Sequence, residues 1–189
     1  MNFKNKINLI ILLVTAFMIA SCNQNQEDKK KESTANNSEQ TEPTGTKSNS
    51  DQESNNENQT AGIIDAYLEL KNALVESSSE MARSAAEKMT EILEDEADSQ
   101  LLKGILEDAN HISDTDEMEH MREHFDLMSQ NVYQLVKDNK IEVRLYKQYC
   151  PMAFDNEGAF WLSSEEEIKN PYFGDKMLKC GRVEETIQQ

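Results

Sequence analysis

The stretch from Met118 to Leu135 reads MEHMREHFDLMSQNVYQL, and its apolar residues return every three or four positions. That interval matches the turn of an α-helix, so these side chains share one face. The apolar stripe consists of Met118, Met121, Phe125, Met128, Val132 and Leu135. A stripe of this width must be buried against other elements. The segment therefore predicts an amphipathic helix that packs in a bundle.

Three further apolar stripes with helical spacing precede this one. They comprise Ile63, Tyr67, Leu70 and Leu74; then Met81, Ala85, Met89, Ile92 and Leu93; then Leu101, Leu102, Ile105, Leu106 and Ala109. No proline interrupts residues 61–140. Four helices with short links predict a small antiparallel four-helix bundle.

The period changes after residue 140. Ile141, Val143 and Leu145 alternate with polar residues, which favours a strand. The sequence DNEG at 155–158 predicts a turn, and AFWL at 159–162 predicts a returning strand. We therefore expect a mainly α fold, in which the bundle is followed by a short β-hairpin within an irregular, aromatic-rich C-terminal segment.

The N-terminus predicts a lipid anchor. Lys4 and Lys6 precede an apolar run over residues 7–20, and Ser21 and Cys22 follow it. Small residues before a cysteine at the end of such a run are typical of a bacterial lipoprotein signal, and the run is short for a membrane span. We expect residues 1–21 to be removed and Cys22 to be acylated.

The composition changes again after Cys22. Residues 23–60 hold no aromatic side chain and no aliphatic one larger than alanine, so they cannot offset the entropy of ordering them. We expect residues 22–60 to be a disordered polar linker and residues 61–189 to form the folded domain. Asn23 and Gln24 place no acid beside the lipid, which favours the outer membrane, on either its periplasmic side or its outer surface.

The charge limits the partners. The formal net charge is −17, which argues against nucleic acid, since the phosphate backbone repels such a surface. Neither a glycine-rich phosphate loop nor a nucleophile elbow is present, and paired acids fit a solvated surface better than a catalytic cleft. We therefore expect a protein that is not an enzyme.

Two sulfur clusters lie in the C-terminal third. Cys150 and Met152 flank Pro151, and Met177 precedes Cys180 by three residues. Pro151 favours an extended shape that turns the first pair to one side, and one helical turn brings the second pair to one face. Thiolates and thioethers are soft donors that select Cu(I) and Ag(I). These four residues are candidate ligands.

Histidine supplies a further candidate. His120 and His124 are four residues apart on the predicted fourth helix and share a face, a spacing at which two imidazoles can hold a divalent metal ion between them. His124 is a possible additional ligand if it points toward the sulfur clusters, whereas a solvated or core-rim histidine is the simpler interpretation. His111 falls in a predicted link, without an evident partner.

A family resemblance rests on the C-terminal motifs. YCPMA at 149–153, GAFWLS at 158–163 and IKNPYFGDKMLKCG at 168–181 resemble the DUF3347 family, and REHF at 122–125 with Ser129 is similar to its fourth-helix pattern. The resemblance is expected over residues 62–187. The resemblance implies an envelope protein of the Bacteroidetes, the group of which the family is typical. The same module also occurs in periplasmic adaptors of heavy-metal efflux systems of the CusB type. It thus implies copper or silver as the ligand and efflux components of the RND type as partners.

The same cysteines support a second interpretation. Outside the cytoplasm, the pair Cys150 and Cys180 defaults to a disulfide. The domain would then be a stapled protein-interaction module of the envelope, with aromatic residues such as Trp161 and Tyr172 as contacts. The sequence leaves both interpretations open.

Overall fold

Four long helices and a three-stranded sheet make up the part of the chain that the computed structural model describes, which is residues 49–94, 97–139 and 142–188. The helices are α1 (Asn49–Val75), α2 (Ser79–Leu93), α3 (Gln100–Ser113) and α4 (Met118–Asp138), and the strands are β1 (Arg144–Cys150), β2 (Ala159–Ser163) and β3 (Arg182–Gln188). The expected signal, Cys22 and most of the expected linker lie outside the described residues. None of the described helices combines the length and apolar character that crossing a membrane requires.

The helices form the expected bundle. Each helix packs on the next one, and α4 also contacts α1. The first and fourth predicted stripes are buried, apart from a partly buried Met118, and Ser78 and Ser99 cap the starts of α2 and α3 through their side chains. This confirms a mainly helical fold with a four-helix bundle.

The first helix begins earlier than the predicted domain boundary at residue 61. It starts at Asn49, so residues 49–60, which we expected in the disordered linker, are helical. Glu57 and Asn58 are exposed, whereas Thr60 is buried. An α-helix satisfies its backbone hydrogen bonds internally, so polar turns can continue beyond the buried stripe.

The sheet has one strand more than the expected hairpin. Its order is β2-β1-β3, and both neighbours of β1 are antiparallel to it. The third strand is an edge strand in which only Ile187 is buried. Its sequence, RVEETIQ, carries charges that suit an exposed edge strand. With so few apolar residues it lacks the alternating pattern by which a strand is recognised in a sequence.

A buried hydrogen-bond chain joins the bundle to the sheet. The Tyr67 hydroxyl lies 2.7 Å from Ser129 Oγ on α4 and accepts a hydrogen bond of 3.0 Å from the backbone N–H of Leu162 on β2. The Tyr67 ring stacks on Phe125 with ring centroids 5.1 Å apart. Phe125 and Ser129 belong to the fourth-helix pattern noted in the sequence, so that pattern positions the sheet on the bundle.

The aromatic residues proposed as partner contacts lie inside the protein. Trp161 is 0% exposed and Tyr172 is 6% exposed. The Tyr172 hydroxyl donates to the backbone oxygen of Phe160 at 2.6 Å, which ties the 170–173 turn to β2. The expectation that Trp161 and Tyr172 serve a protein partner is therefore wrong, because the alternation along β2 directs Trp161 into the core.

Candidate metal centre

The two cysteines lie side by side at one end of the sheet. Tyr149 on β1 pairs with Arg182 on β3 in an antiparallel register. That register brings the end of β1 next to the residues that precede β3, and Cys150 Sγ lies 3.0 Å from Cys180 Sγ. Both are free thiols; Cys150 is buried and Cys180 is partly exposed. Strand pairing therefore brings the two predicted sulfur clusters together.

Asn170 holds the second cluster in place. Its side-chain Nδ2 donates to the backbone oxygen of Cys180 at 2.8 Å, and its backbone N–H donates to Leu178 at 2.9 Å. Asn170 Oδ1 in turn accepts from the backbone N–H of Tyr172 at 2.8 Å. A fully buried amide with these bonds fixes the loop rather than serving a ligand.

The thiol contact lowers the acidity of Cys180. The hydrogen bond with Cys150, and then burial, raise the pKa of Cys180 from 9.0 to about 11. At neutral pH Cys180 of the reduced protein is therefore protonated, and a soft metal ion would have to displace its thiol proton on binding.

Because its pKa is raised, Cys180 is expected to be alkylated slowly in the reduced protein. A pKa of about 11 cuts the thiolate fraction at pH 8 about 100-fold, and the stronger nucleophilicity of a basic thiolate offsets part of this. We expect iodoacetamide to modify Cys180 at least about tenfold more slowly than an ordinary thiol, as measured by mass spectrometry of timed samples. The Cys150→Ala variant removes the hydrogen bond and should accelerate the reaction. Equal rates in the two proteins would contradict this assignment.

The two methionines line a shared groove beside the thiols. Met152 is 46% exposed, and Met177 is partly buried. Together with Phe154 and Phe173 they border a groove of about 600 Å³, and neither cysteine is among its lining residues. The structure thus brings thiol to thiol and places both thioethers on one groove, which the thiols themselves do not line.

The groove carries an excess of negative charge. Glu119 and Glu123 of α4 line one wall, and Asp155 and Glu157 line another. Arg122 and Lys176 also line the groove, but the four carboxylates outnumber these two cations, and the Arg122 guanidinium donates to the backbone oxygen of Pro171 at 2.8 Å and to Ser77 Oγ at 3.0 Å. The acidic rim favours a cation over an anion in this groove.

A strained turn shapes the same groove. Phe154, Asp155 and Asn156 have φ angles of 49°, 54° and 75°, in the left-handed region. Asparagine and aspartate tolerate this region, whereas a phenylalanine there is an outlier that costs about 1–2 kcal/mol. Such strain collects at functional sites, so the turn marks the groove as a candidate site.

The third predicted ligand type lies elsewhere on α4. His124, which we expected as a possible partner of the sulfurs, does not line the groove; it lies beside His111 and His120. One ring nitrogen of each histidine lies within 4.8 Å of the others. Sequence reasoning missed His111, although it stands in the last turn of α3 and the short link to α4 returns the chain beside it.

A buried carboxylate orients His124. Its Nδ1 donates to Asp108 Oδ1 at 2.9 Å, and only 8% of the Asp108 side chain is exposed. Burial raises the pKa of Asp108, and the hydrogen bond from His124 opposes that rise. This bond leaves Nε2 of His124 as the nitrogen that is available to a ligand.

Comparison with known proteins identifies the helical part. A family described as DUF3347, of unknown function, matches residues 63–143. The matched span ends before β1, so the sulfur motifs lie beyond it, whereas we expected the resemblance over residues 62–187. Neither the curated proteins nor the solved structures contain a match to the chain. Residues 63–143, which hold most of the helical bundle, therefore match the DUF3347 family.

Proposed function

We propose that this protein is a lipid-anchored protein of the cell envelope that binds the soft ions Cu(I) or Ag(I) and is not an enzyme. The observation that carries the proposal is the contact between the two cysteines. Cys150 Sγ and Cys180 Sγ lie 3.0 Å apart, and Met152 and Met177, which are two and three residues away along the chain, border one acidic groove.

The donors suit a soft ion. Thiolate and thioether sulfurs bind Cu(I) and Ag(I) in preference to hard cations. Methionine has three rotatable bonds, so Met152 and Met177 can turn toward an ion that is held by the thiols. A buried Cys150 and a partly exposed Cys180 give the ion one protected ligand and one accessible ligand. An incoming sulfur can replace the accessible ligand, which permits transfer by ligand exchange.

The expected envelope location gives this chemistry its context. We propose that acylated Cys22 anchors the chain to the outer membrane and that the linker holds the domain away from the lipid. The protein would then buffer the ion or pass it to a heavy-metal efflux system of the RND type. The acidic surface, with a formal net charge of −17, supports attraction of cations.

A Cu(I) titration against a competing chelator tests this proposal. In a Cys22→Ser background, which removes the unlipidated N-terminal thiol, we expect the reduced chain to bind one Cu(I) with micromolar or tighter affinity. Replacing Cys150 and Cys180 by serine should weaken binding about 100-fold or more, because both thiolates are lost. Met152→Leu/Met177→Leu should weaken it by about tenfold.

A matched control distinguishes the proposed methionine ligands from an exposed methionine that is not a proposed ligand. Met81 on α2 is 51% exposed and far along the chain from the sulfur clusters, so Met81→Leu should leave Cu(I) affinity unchanged. Binding weaker than micromolar, or binding that persists in the cysteine double variant, would eliminate the sulfur site.

A second function is supported by the same thiol contact. Cys150 and Cys180 are placed to form a disulfide, which would make the domain a stapled interaction module instead of a metal carrier. With Trp161 and Tyr172 buried, a protein partner of such a module would meet the acidic groove that Met152 borders. Counting free thiols on protein taken from the envelope separates the two functions.

A further inference from the structure

A second donor cluster lies between the end of α3 and the start of α4. The chain has three histidines in all, and these three, His111, His120 and His124, meet there. We propose that they form a separate binding site for a borderline divalent cation, Zn²⁺ or Cu²⁺. The proposal goes beyond soft-ion binding at the sulfurs and needs none of the sulfur donors.

The three imidazole rings lie against one another. The His111 and His124 rings stack with centroids 4.2 Å apart, and the His120 ring stands edge-on to His124 at 4.6 Å. One nitrogen of each ring lies within 4.8 Å of the others. Three ligands at metal–nitrogen distances of about 2.0–2.1 Å need nitrogens about 3.3 Å apart. Side-chain rotations of His111 and His120, at the exposed side of the cluster, can close that gap.

Hydrogen bonds outside the trio favour ligand geometry. Asp108 holds Nδ1 of His124, so Nε2 faces away from the carboxylate. A histidine whose second nitrogen donates to a carboxylate is the usual arrangement around a bound metal, because the carboxylate fixes the tautomer and raises the basicity of the ligand. Glu123 Oε2 lies 3.7 Å from Nδ1 of His120, beyond hydrogen-bond distance, and places a negative charge beside that ring.

Exposure and charge give the ion a way in. His111 is exposed, whereas His124 has only 16% of its side chain exposed, so the cluster opens to solvent on one side. Asp108 and Glu123 place negative charge beside the imidazoles. An ion held by three histidines keeps one coordination position open for water or an incoming donor. Imidazole donors suit Zn²⁺ and Cu²⁺, in contrast to the soft sulfur donors.

Titration of a cysteine-free full chain tests the site. In a Cys22→Ser/Cys150→Ser/Cys180→Ser background, we expect one equivalent of Zn²⁺ to bind with micromolar or tighter affinity, measured against a chromophoric chelator. Co²⁺ as a probe should give the intense visible absorption of a tetrahedral site. In ¹⁵N spectra of the imidazoles, Zn²⁺ should shift Nε2 of His124 while Nδ1 stays protonated.

Matched variants make the outcome decisive. His111→Ala/His120→Ala changes the exposed side of the cluster, leaves the His124–Asp108 pair intact, and should abolish stoichiometric Zn²⁺ binding. Asp108→Asn should weaken binding by about 10–100-fold, as expected for a residue that positions a ligand. The control Glu91→Gln removes an exposed charge from α2 and should change nothing.

Three results would overturn the proposal. They are failure of the cysteine-free chain to bind Zn²⁺ or Co²⁺ stoichiometrically, binding that survives the His111→Ala/His120→Ala change, and an equal loss of affinity in Glu91→Gln. Failure of the sulfur proposal leaves this experiment unaffected, because the chain used here contains no cysteine.

Discussion

Replacing Trp161 by alanine is expected to lower the free energy of unfolding by about 3–5 kcal/mol. Trp161 is fully buried, and its ring stands edge-on to Tyr172 with centroids 5.9 Å apart. A Cβ placed on Gly181 would lie 3.0 Å from Trp161 Cη2, so the backbone that follows Cys180 packs directly on the indole. Truncation to alanine leaves a cavity between β2 and the backbone around Gly181.

The matched variant Trp161→Phe separates packing from hydrogen bonding. The indole Nε1 is buried and makes no hydrogen bond with the described residues, so its removal forfeits none. We therefore expect Trp161→Phe to cost clearly less than Trp161→Ala. Urea unfolding followed by circular dichroism at 222 nm measures both, since Trp161 is the only tryptophan and alanine removes the fluorophore. A loss below about 1 kcal/mol in Trp161→Ala would contradict the packing described.

The bundle was predictable because its signal is periodic and local. The stripe from Ile63 to Leu74, for example, repeats at the helical interval and is buried as expected, whereas Met81 of the second stripe is 51% exposed. The edges of the fold were not predictable in this way. Residues 49–60 are polar, and a composition of this kind fits a disordered segment as well as it fits a solvent-exposed helix. Likewise β3 buries Ile187 alone, so its pairing with β1 comes from tertiary contact rather than from alternation.

The two candidate sites differ in the same way: the cysteine pair could be predicted from the sequence, and the histidine trio could not. Cys150 and Cys180 lie in recognisable local motifs, and the preference of a cysteine pair outside the cytoplasm for a disulfide was enough to suggest that they meet. The histidine trio depends on the angle at which α3 and α4 cross, which no spacing between His111 and His120 encodes. The left-handed backbone conformation of Phe154 could not be predicted either, because phenylalanine rarely adopts a positive φ angle.

Oxidation of Cys150 and Cys180 to a disulfide is expected to stabilise the domain by about 3–4 kcal/mol over the reduced form. The two residues are 30 positions apart, and closing a loop of that length removes conformational entropy from the unfolded chain. The thiols already lie side by side in the folded state, so the bridge joins groups that folding has brought together. Urea unfolding of the protein treated with oxidised glutathione, compared with the reduced protein, measures the difference.

The serine double variant is the control for this comparison and also connects the two proposed functions. In a Cys22→Ser background, Cys150→Ser/Cys180→Ser retains no thiol and should unfold at the same urea concentration with and without oxidant. The oxidised wild-type chain should also lose its Cu(I) binding, because a disulfide offers no thiolate to the ion. The same two sulfur atoms therefore cannot staple the fold and hold the metal at once. Two reactive thiols per chain on envelope protein would assign them to the metal, and none would assign them to the staple.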